Sequence, residues 1–246
     1  MTPVQLERQI NQWLQPANFR DYAPNGLQLD ADRPIQHLVT GVTANQALID
    51  AAIDAGADAL LVHHGWFWKG ESLPITGIKG RRVRALLGAG ISLFGYHLPL
   101  DAHPELGNNA ELARLMGWQS ERGLNDDNIG DVGSCAPTSG ASMASALESV
   151  LGQAPIWIDG GGLIRRLAWC TGAAQSYFQA AIDQGVDAFV TGEISEPMVH
   201  LAREAGVHYF AAGHHATERY GVQALGRRLA ADCGLTHQFI DVASPV

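Results

Sequence analysis

Histidine and carboxylate residues gather in three short segments of this 246-residue chain. The first is Leu61-Val62-His63-His64-Gly65, the second Tyr96-His97-Leu98-Pro99-Leu100-Asp101, the third Gly213-His214-His215-Ala216-Thr217-Glu218. Adjacent side chains on a strand point to opposite sides. His63 and His64 at a strand end therefore face two different metal ions, or one of the pair faces away. The second and third segments share the spacing His-x-x-x-carboxylate, His97 with Asp101 and His214 with Glu218. Residues four apart in a helical turn lie on one face, so each pair can grip one ion or flank two. His215 neighbours His214 and can exchange roles with it. Neutral imidazoles with carboxylates, and without thiolates, suit Zn, Fe, Mn or Ni. The other histidines (His37, His103, His200, His208 and His237) lack such a context and read as ordinary surface or core residues.

All three segments follow apolar strands, over residues 59–62, 91–96 and 207–212. In an open α/β sheet, ligands bind at the carboxyl ends of the strands. Elsewhere the pattern predicts an amphipathic helix over 4–14, with Val4, Leu6, Ile10, Trp13 and Leu14 near one face and Pro16 ending it. A loop over 21–28 follows, with Asn25-Gly26 as a turn signal. A strand over 37–42, a helix over 45–55 stopped by Gly56 and the strand over 59–62 make a β-α-β unit with parallel strands. A helix over 81–87 precedes the next strand. Residues 125–142, rich in Gly, Ser, Asp and Asn, read as a long loop or domain boundary. A helix over 143–151 and a short strand over 155–158 come next. Gly160-Gly161-Gly162 is a turn, because no Lys-Ser/Thr completes a phosphate-cradling loop. Arg81, Arg82 and Arg84 could contact phosphates, but the run reads more simply as a solvated helix face.

The chain repeats itself. Residues 38–59 and 167–188 align at a constant offset of 129, with ten of 22 positions identical, among them Ala52/Ala181, Ile53/Ile182, Asp54/Asp183, Gly56/Gly185 and Asp58/Asp187. Each copy reads strand, helix, Gly stop, strand. The expected fold is α/β, with two related α/β domains from an internal duplication and a metal site at the strand carboxyl ends between them. The expected division is 1–124 and 125–246, with the part from about 189 onward returning to the site.

Composition narrows the class. With 16 Lys+Arg against 25 Asp+Glu the net charge is −9, which disfavours binding to a nucleic acid backbone. No apolar run approaches the roughly 20 residues of a membrane span, and the first 18 residues lack the apolar core of a signal peptide. Cys135, Cys170 and Cys233 are odd in number and scattered, which excludes a disulfide framework or thiolate zinc site and points to a cytoplasmic protein.

Taken together, His63-His64 after a strand, Tyr-His-x-x-x-Asp in mid-chain, Gly-His-x-x-x-Glu near the C-terminus and Pro24-Asn25-Gly26-Leu27-Gln28 resemble the YbgI family of dinuclear-metal-centre hexameric proteins, the GTP cyclohydrolase I type 2 homologues. The resemblance spans nearly the whole chain. It implies two similar α/β domains, a ring-shaped homohexamer and two divalent ions per chain, Fe, Zn or Mn. It implies His63, His64, Asp101, His214 and Glu218 as ligands, with Glu218 bridging. His97 would be an outer ligand or proton-transfer residue. Gly65-Trp66 departs from the family pattern, so Trp66, Phe67 and Trp68 line the site in this chain's own way. The expected activity is metal-dependent hydrolysis of a nucleotide-class substrate, a metal-bridging hydroxide attacking an electrophilic carbon or phosphorus. The rival readings are a non-catalytic iron store or carrier and a ring-shaped scaffold.

Overall fold

Leu6, Ile10 and Leu14 recur every four positions and build the buried stripe of α1 (Pro3–Leu14) in the computed structural model, which describes residues 1–125 and 128–246. Thr2 and Gln5 close a capping box at its start, and Gln15 ends it in the left-handed region ahead of Pro16. Val4, expected on the buried face, is 50% exposed. The chain continues through β1 (Gly26–Leu29), β2 (His37–Thr43), α2 (Gln46–Asp54), β3 (Ala59–His64), α3 (Gly77–Ala89), β4 (Ser92–Gly95) and α4 (Leu98–Ala102). Next come α5 (Asn108–Met116), β5 (Gln119–Gly123), β6 (Asp131–Ser139), α6 (Gly140–Leu151), β7 (Ile156–Ile158) and β8 (Leu163–Cys170). The last elements are α7 (Phe178–Asp183), β9 (Ala188–Thr191), α8 (Glu196–Ala205), β10 (His208–Ala211), α9 (His214–Thr217), α10 (Arg219–Cys233) and β11 (Thr236–Phe239). Among the described residues no helix is long and apolar enough to cross a membrane.

The chain forms two compact units. The first comprises Met1–Leu100 and Gly221–Val242. Its sheet has the order β1-β4-β3-β2-β11, parallel except for β1. Leu48, Ile49 and Ala52 of α2 and Val83 and Leu86 of α3 join Val39, Leu60, Val62 and Leu93 of the strands in one core. The second unit comprises Asp101–Tyr220 and Ala243–Val246. Its sheet has the order β5-β6-β8-β9-β10-β7, with β8, β9 and β10 parallel and the other three strands antiparallel to their neighbours. Leu147 and Leu151 of α6 pack there with Trp169, Val190 and Phe210.

This partition differs from a cut at residue 124. β5 hydrogen-bonds to β6, which keeps residues 101–124 with the second unit. β11 adds to the edge of β2, which returns 221–242 to the first. Residues 125–142 differ from the expected loop as well. Most of them are β6 and the start of α6, and Asp126 and Asp127 lie outside the described residues. The polar composition concealed a strand whose Val132 and Gly133 are buried between β5 and β8. Gly26, read as a turn residue, opens β1, where it pairs with Gly95.

The repeated string has one structural meaning in both units. Leu38 pairs with Ala59 on β2 and β3, and Leu167 pairs with Ala188 on β8 and β9. The Asp58 carboxylate accepts the backbone N–H groups of Gln36 and His37, both at 2.9 Å. Asp187 accepts those of Arg165 and Arg166, again at 2.9 Å. Gly56 and Gly185 both take φ +69° where the helix stops, a conformation only glycine adopts without strain.

Candidate metal centre

β3 ends in His63 and His64, and His97 follows β4, so parallel neighbours bring the three imidazoles to one sheet edge of the first unit. One ligating nitrogen from each lies within 4.8 Å of the other two. The ring centroids of His63 are 4.6 Å from His64 and 5.1 Å from His97. Each ring has its Nδ1 engaged. His63 Nδ1 donates to the Tyr96 carbonyl at 2.9 Å, His64 Nδ1 meets Thr43 Oγ1 at 3.1 Å, and His97 Nδ1 donates to Asp21 Oδ1 at 2.9 Å. Carbonyl and carboxylate oxygens only accept, so His63 and His97 carry a proton on Nδ1, and in the neutral ring that leaves Nε2 as the ligating nitrogen. This orientation by an outer acceptor is the usual arrangement of a metal-binding imidazole.

The loop before β1 holds this edge together. Asp21 Oδ1 also accepts the Ala23 N–H at 3.0 Å, and its Oδ2 accepts Asn25 Nδ2 and the Leu98 N–H, each at 3.0 Å. Burial raises the Asp21 pKa, but the His97, Asn25 and Ala23 donors outweigh it and hold the carboxyl down at about 2. Asn25 Oδ1 accepts the His97 N–H at 2.7 Å, and Gln28 Oε1 accepts the Trp66 N–H at 2.7 Å. A Cβ at Gly65 or Gly95 would collide with the Gln28 amide. The Asn-Gly-Leu-Gln string is therefore a clamp on the two backbone stretches that carry the histidines.

The second unit holds buried acids of its own. Asp101 of α4 is buried, and its Oδ1 accepts Asn108 Nδ2 at 2.8 Å and Thr171 Oγ1 at 3.3 Å. His214 opens α9 and reaches one turn onward, its Nε2 lying 3.1 Å from Oε2 of the buried Glu218. Its Nδ1 meets Glu193 Oε1 at 2.7 Å. Burial lowers the His214 pKa, but Glu218 and Glu193 more than offset this and lift it to about 9. Gly172, just past β8, has φ +70°, and a Cβ there would strike Glu218 Oε1 and stand 3.3 Å from His214 Nε2. The Cys170 thiol is pushed up by burial and then by Asp101, Glu218 and Asp131, so it stays protonated and inert.

The predicted residues fall out unevenly. His63, His64 and His97 come together, and His214 meets Glu218 as the four-residue spacing requires. His215 has its backbone N–H on the Val246 carbonyl, and His214 pairs with Glu218. His208 is a core residue accepting from Trp157 Nε1 and the Gly160 N–H, and His237 bonds Thr40. Asp21 and Glu193 were not singled out from the sequence. Glu193 stands at offset 129 from His64 but beyond the repeated string, which ends at residue 188, so only an extension of that alignment reaches it. Asp21 is 76 residues from His97, with no spacing to reveal it.

The donor set of imidazole nitrogens and carboxylate oxygens, oriented by outer acceptors, could hold a metal ion. A Pseudomonas aeruginosa protein named GTP cyclohydrolase 1 type 2 homolog is 50% identical over 244 residues, covering 98% of this chain and 97% of the relative. A solved structure described as protein ybgI, of unknown function, superposes with a TM-score of 0.97 at 49% identity, covering both chains fully. A second solved structure, TTHA1606 from Thermus thermophilus, gives 0.93 at 32% identity, again with full coverage. The family model for Duf34/NIF3 (NGG1p interacting factor 3) matches residues 1–245, and with a mixed α/β fold of two sheets shared throughout, this chain belongs to that family.

Proposed function

We propose that the chain is a dinuclear-metal hydrolase acting on a nucleotide-class substrate. In this reading His63, His64, Asp101, His214 and Glu218 ligate two divalent ions of Fe, Zn or Mn, Glu218 bridges them, and His97 moves protons. The observation that carries it is the orientation of the imidazoles, with His63 and His97 engaged through Nδ1 by outer acceptors beside His64. The His trio contains no carboxylate, whereas His214 has Glu218 and Glu193 on its two nitrogens. Imidazole nitrogens and carboxylate oxygens are donors of the kind that Fe, Zn and Mn take. When bound, such a pair supplies an activated water and stabilises negative charge that develops on the substrate.

The chain's own residues do the rest. Asp21 keeps His97 in one tautomer and compensates the imidazolium when Nε2 takes up a proton, as a general base requires. Asp101 and Glu218 offset cationic charge in a buried setting. The relatives' name supports a purine ring as the electrophile. A ring-shaped homohexamer belongs to the same reading, and the exposed apolar residues Leu73, Ile75 and Ile78 suit a subunit contact. The test is elemental analysis of the purified chain followed by turnover assays with GTP, other nucleotides, phosphoesters and amides. Retained metal with multiple turnovers on one of these substrates supports the reading. Ready transfer of metal to an acceptor without any turnover overturns it in favour of a carrier.

A further inference from the structure

Two tryptophans in the segment after His64 are treated oppositely by the fold. Trp66 is 5% exposed and donates its indole N–H to the Ala44 carbonyl at 2.9 Å, as a core residue does. Trp68 is only half-buried, and its indole N–H closes back on the Gly65 carbonyl at 2.9 Å. Its ring stands 5.0 Å from His97 and 6.0 Å from His64. Tyr22 lies 5.2 Å from both Trp68 and His97, yet it is 55% exposed. Burial of apolar surface does not explain two large aromatic rings left partly in water beside a cluster of imidazoles.

Between the two tryptophans the backbone takes an unfavourable conformation. Phe67 has φ +64°, which a bulky L-residue rarely adopts. The turn is nevertheless pinned. The Phe67 N–H donates to Glu71 Oε2 at 3.1 Å, Lys79 Nζ meets the same oxygen at 3.0 Å, and the Lys79 ammonium sits 4.8 Å over the Phe67 ring. Such strain persists only where surrounding structure enforces it, and it gathers where a side chain must be aimed. Here it turns Trp68 back toward the histidines.

We propose that Trp68 and Tyr22 form a stacking platform that receives a planar heteroaromatic ring beside His64 and His97, with Trp68 determining specificity for planar rings. Every heteroaromatic base offers a π-face, so the platform selects flatness and aromaticity without reading hydrogen bonds. The inference rests on the metal-site reading for what happens to the ring afterwards, but not for its binding. The decisive experiment is calorimetric binding of guanosine to the metal-loaded full chain, with ribose as the non-planar control and elemental analysis of every sample. The wild type should bind guanosine and not ribose. Trp68→Leu, which keeps bulk and removes the aromatic face, should weaken guanosine binding about tenfold or more with metal content unchanged. Trp68→Phe should retain most of the affinity. Equal affinity in the Leu variant overturns the platform, and so does a metal-loaded wild type that binds neither compound. A wild type that takes up no metal defeats the hydrolase reading alone, while the comparison of Trp68 variants on guanosine still decides the platform.

Discussion

His214 bonds a carboxylate at each ring nitrogen, and this sets a testable pH response. Its pKa is about 9 in the folded, metal-free chain against an ordinary 6.5. A raised pKa means the stabilisation is fully present below about 6.5 and is lost as pH climbs through about 9. The metal-free protein should therefore lose thermal stability across that window, and scanning calorimetry at a series of pH values should show the slope flatten in His214→Gln. Metal ligands must be deprotonated, so metal should compete with this proton and its affinity should rise over the same range. Asp21 works in the other direction. With its pKa held at about 2 against 3.8, its contribution is present above 3.8 and lost as pH falls toward 2. Asp21→Asn should cost about 1–3 kcal/mol in urea unfolding, because the donors on a buried acceptor side chain lose charged partnership. It should also depress turnover through His97 while leaving bound metal in place. At this scale the histidines and acids were legible from their spacing. Asp21 was not, because it meets His97 through tertiary contact.

Among the elements, the strand–helix–strand repeat carries the most information. Asp58 and Asp187 each accept two backbone N–H groups, Asp58 at the start of β2 and Asp187 within β8. Alanine at either position should destabilise by about 1.5–3 kcal/mol, the range for hydrogen bonds to a charged acceptor. Equal losses at the two sites, measured by chemical denaturation, would show that the units use the string identically. Gly172 tests the turn after β8. Gly172→Ala adds a Cβ against Glu218 at a φ of +70°, so it should lower both melting temperature and bound metal. An alanine at Gly152, which has φ +72° but open space around it, should affect stability without changing metal content. The helices and parallel strands were readable from periodicity and glycine stops. β6 was not, because its polar residues follow no alternation and its place between β5 and β8 depends on partners distant in sequence.

For the molecule as a whole, the exposed apolar residues bear on the proposed assembly. Leu73 is 91% exposed, close to the exposed Ile75 and Ile78. If these residues form a subunit contact in a hexamer, Leu73→Glu should shift the mass measured by light scattering from six protomers toward one, with unchanged circular dichroism. A hexamer that survives this substitution would place the contact elsewhere. The sequence by itself determined the fold class, the repeat and the histidine–carboxylate segments, because periodicity, glycine stops and four-residue spacing are local consequences of backbone geometry. Only the tertiary structure decided that residues 101–124 belong with the second unit and 221–242 with the first. It alone brought Asp21 to His97 and set Trp68 and Tyr22 beside that imidazole. Those outcomes depend on strand pairing and side-chain contacts between residues far apart in the chain, and no local pattern encodes such contacts.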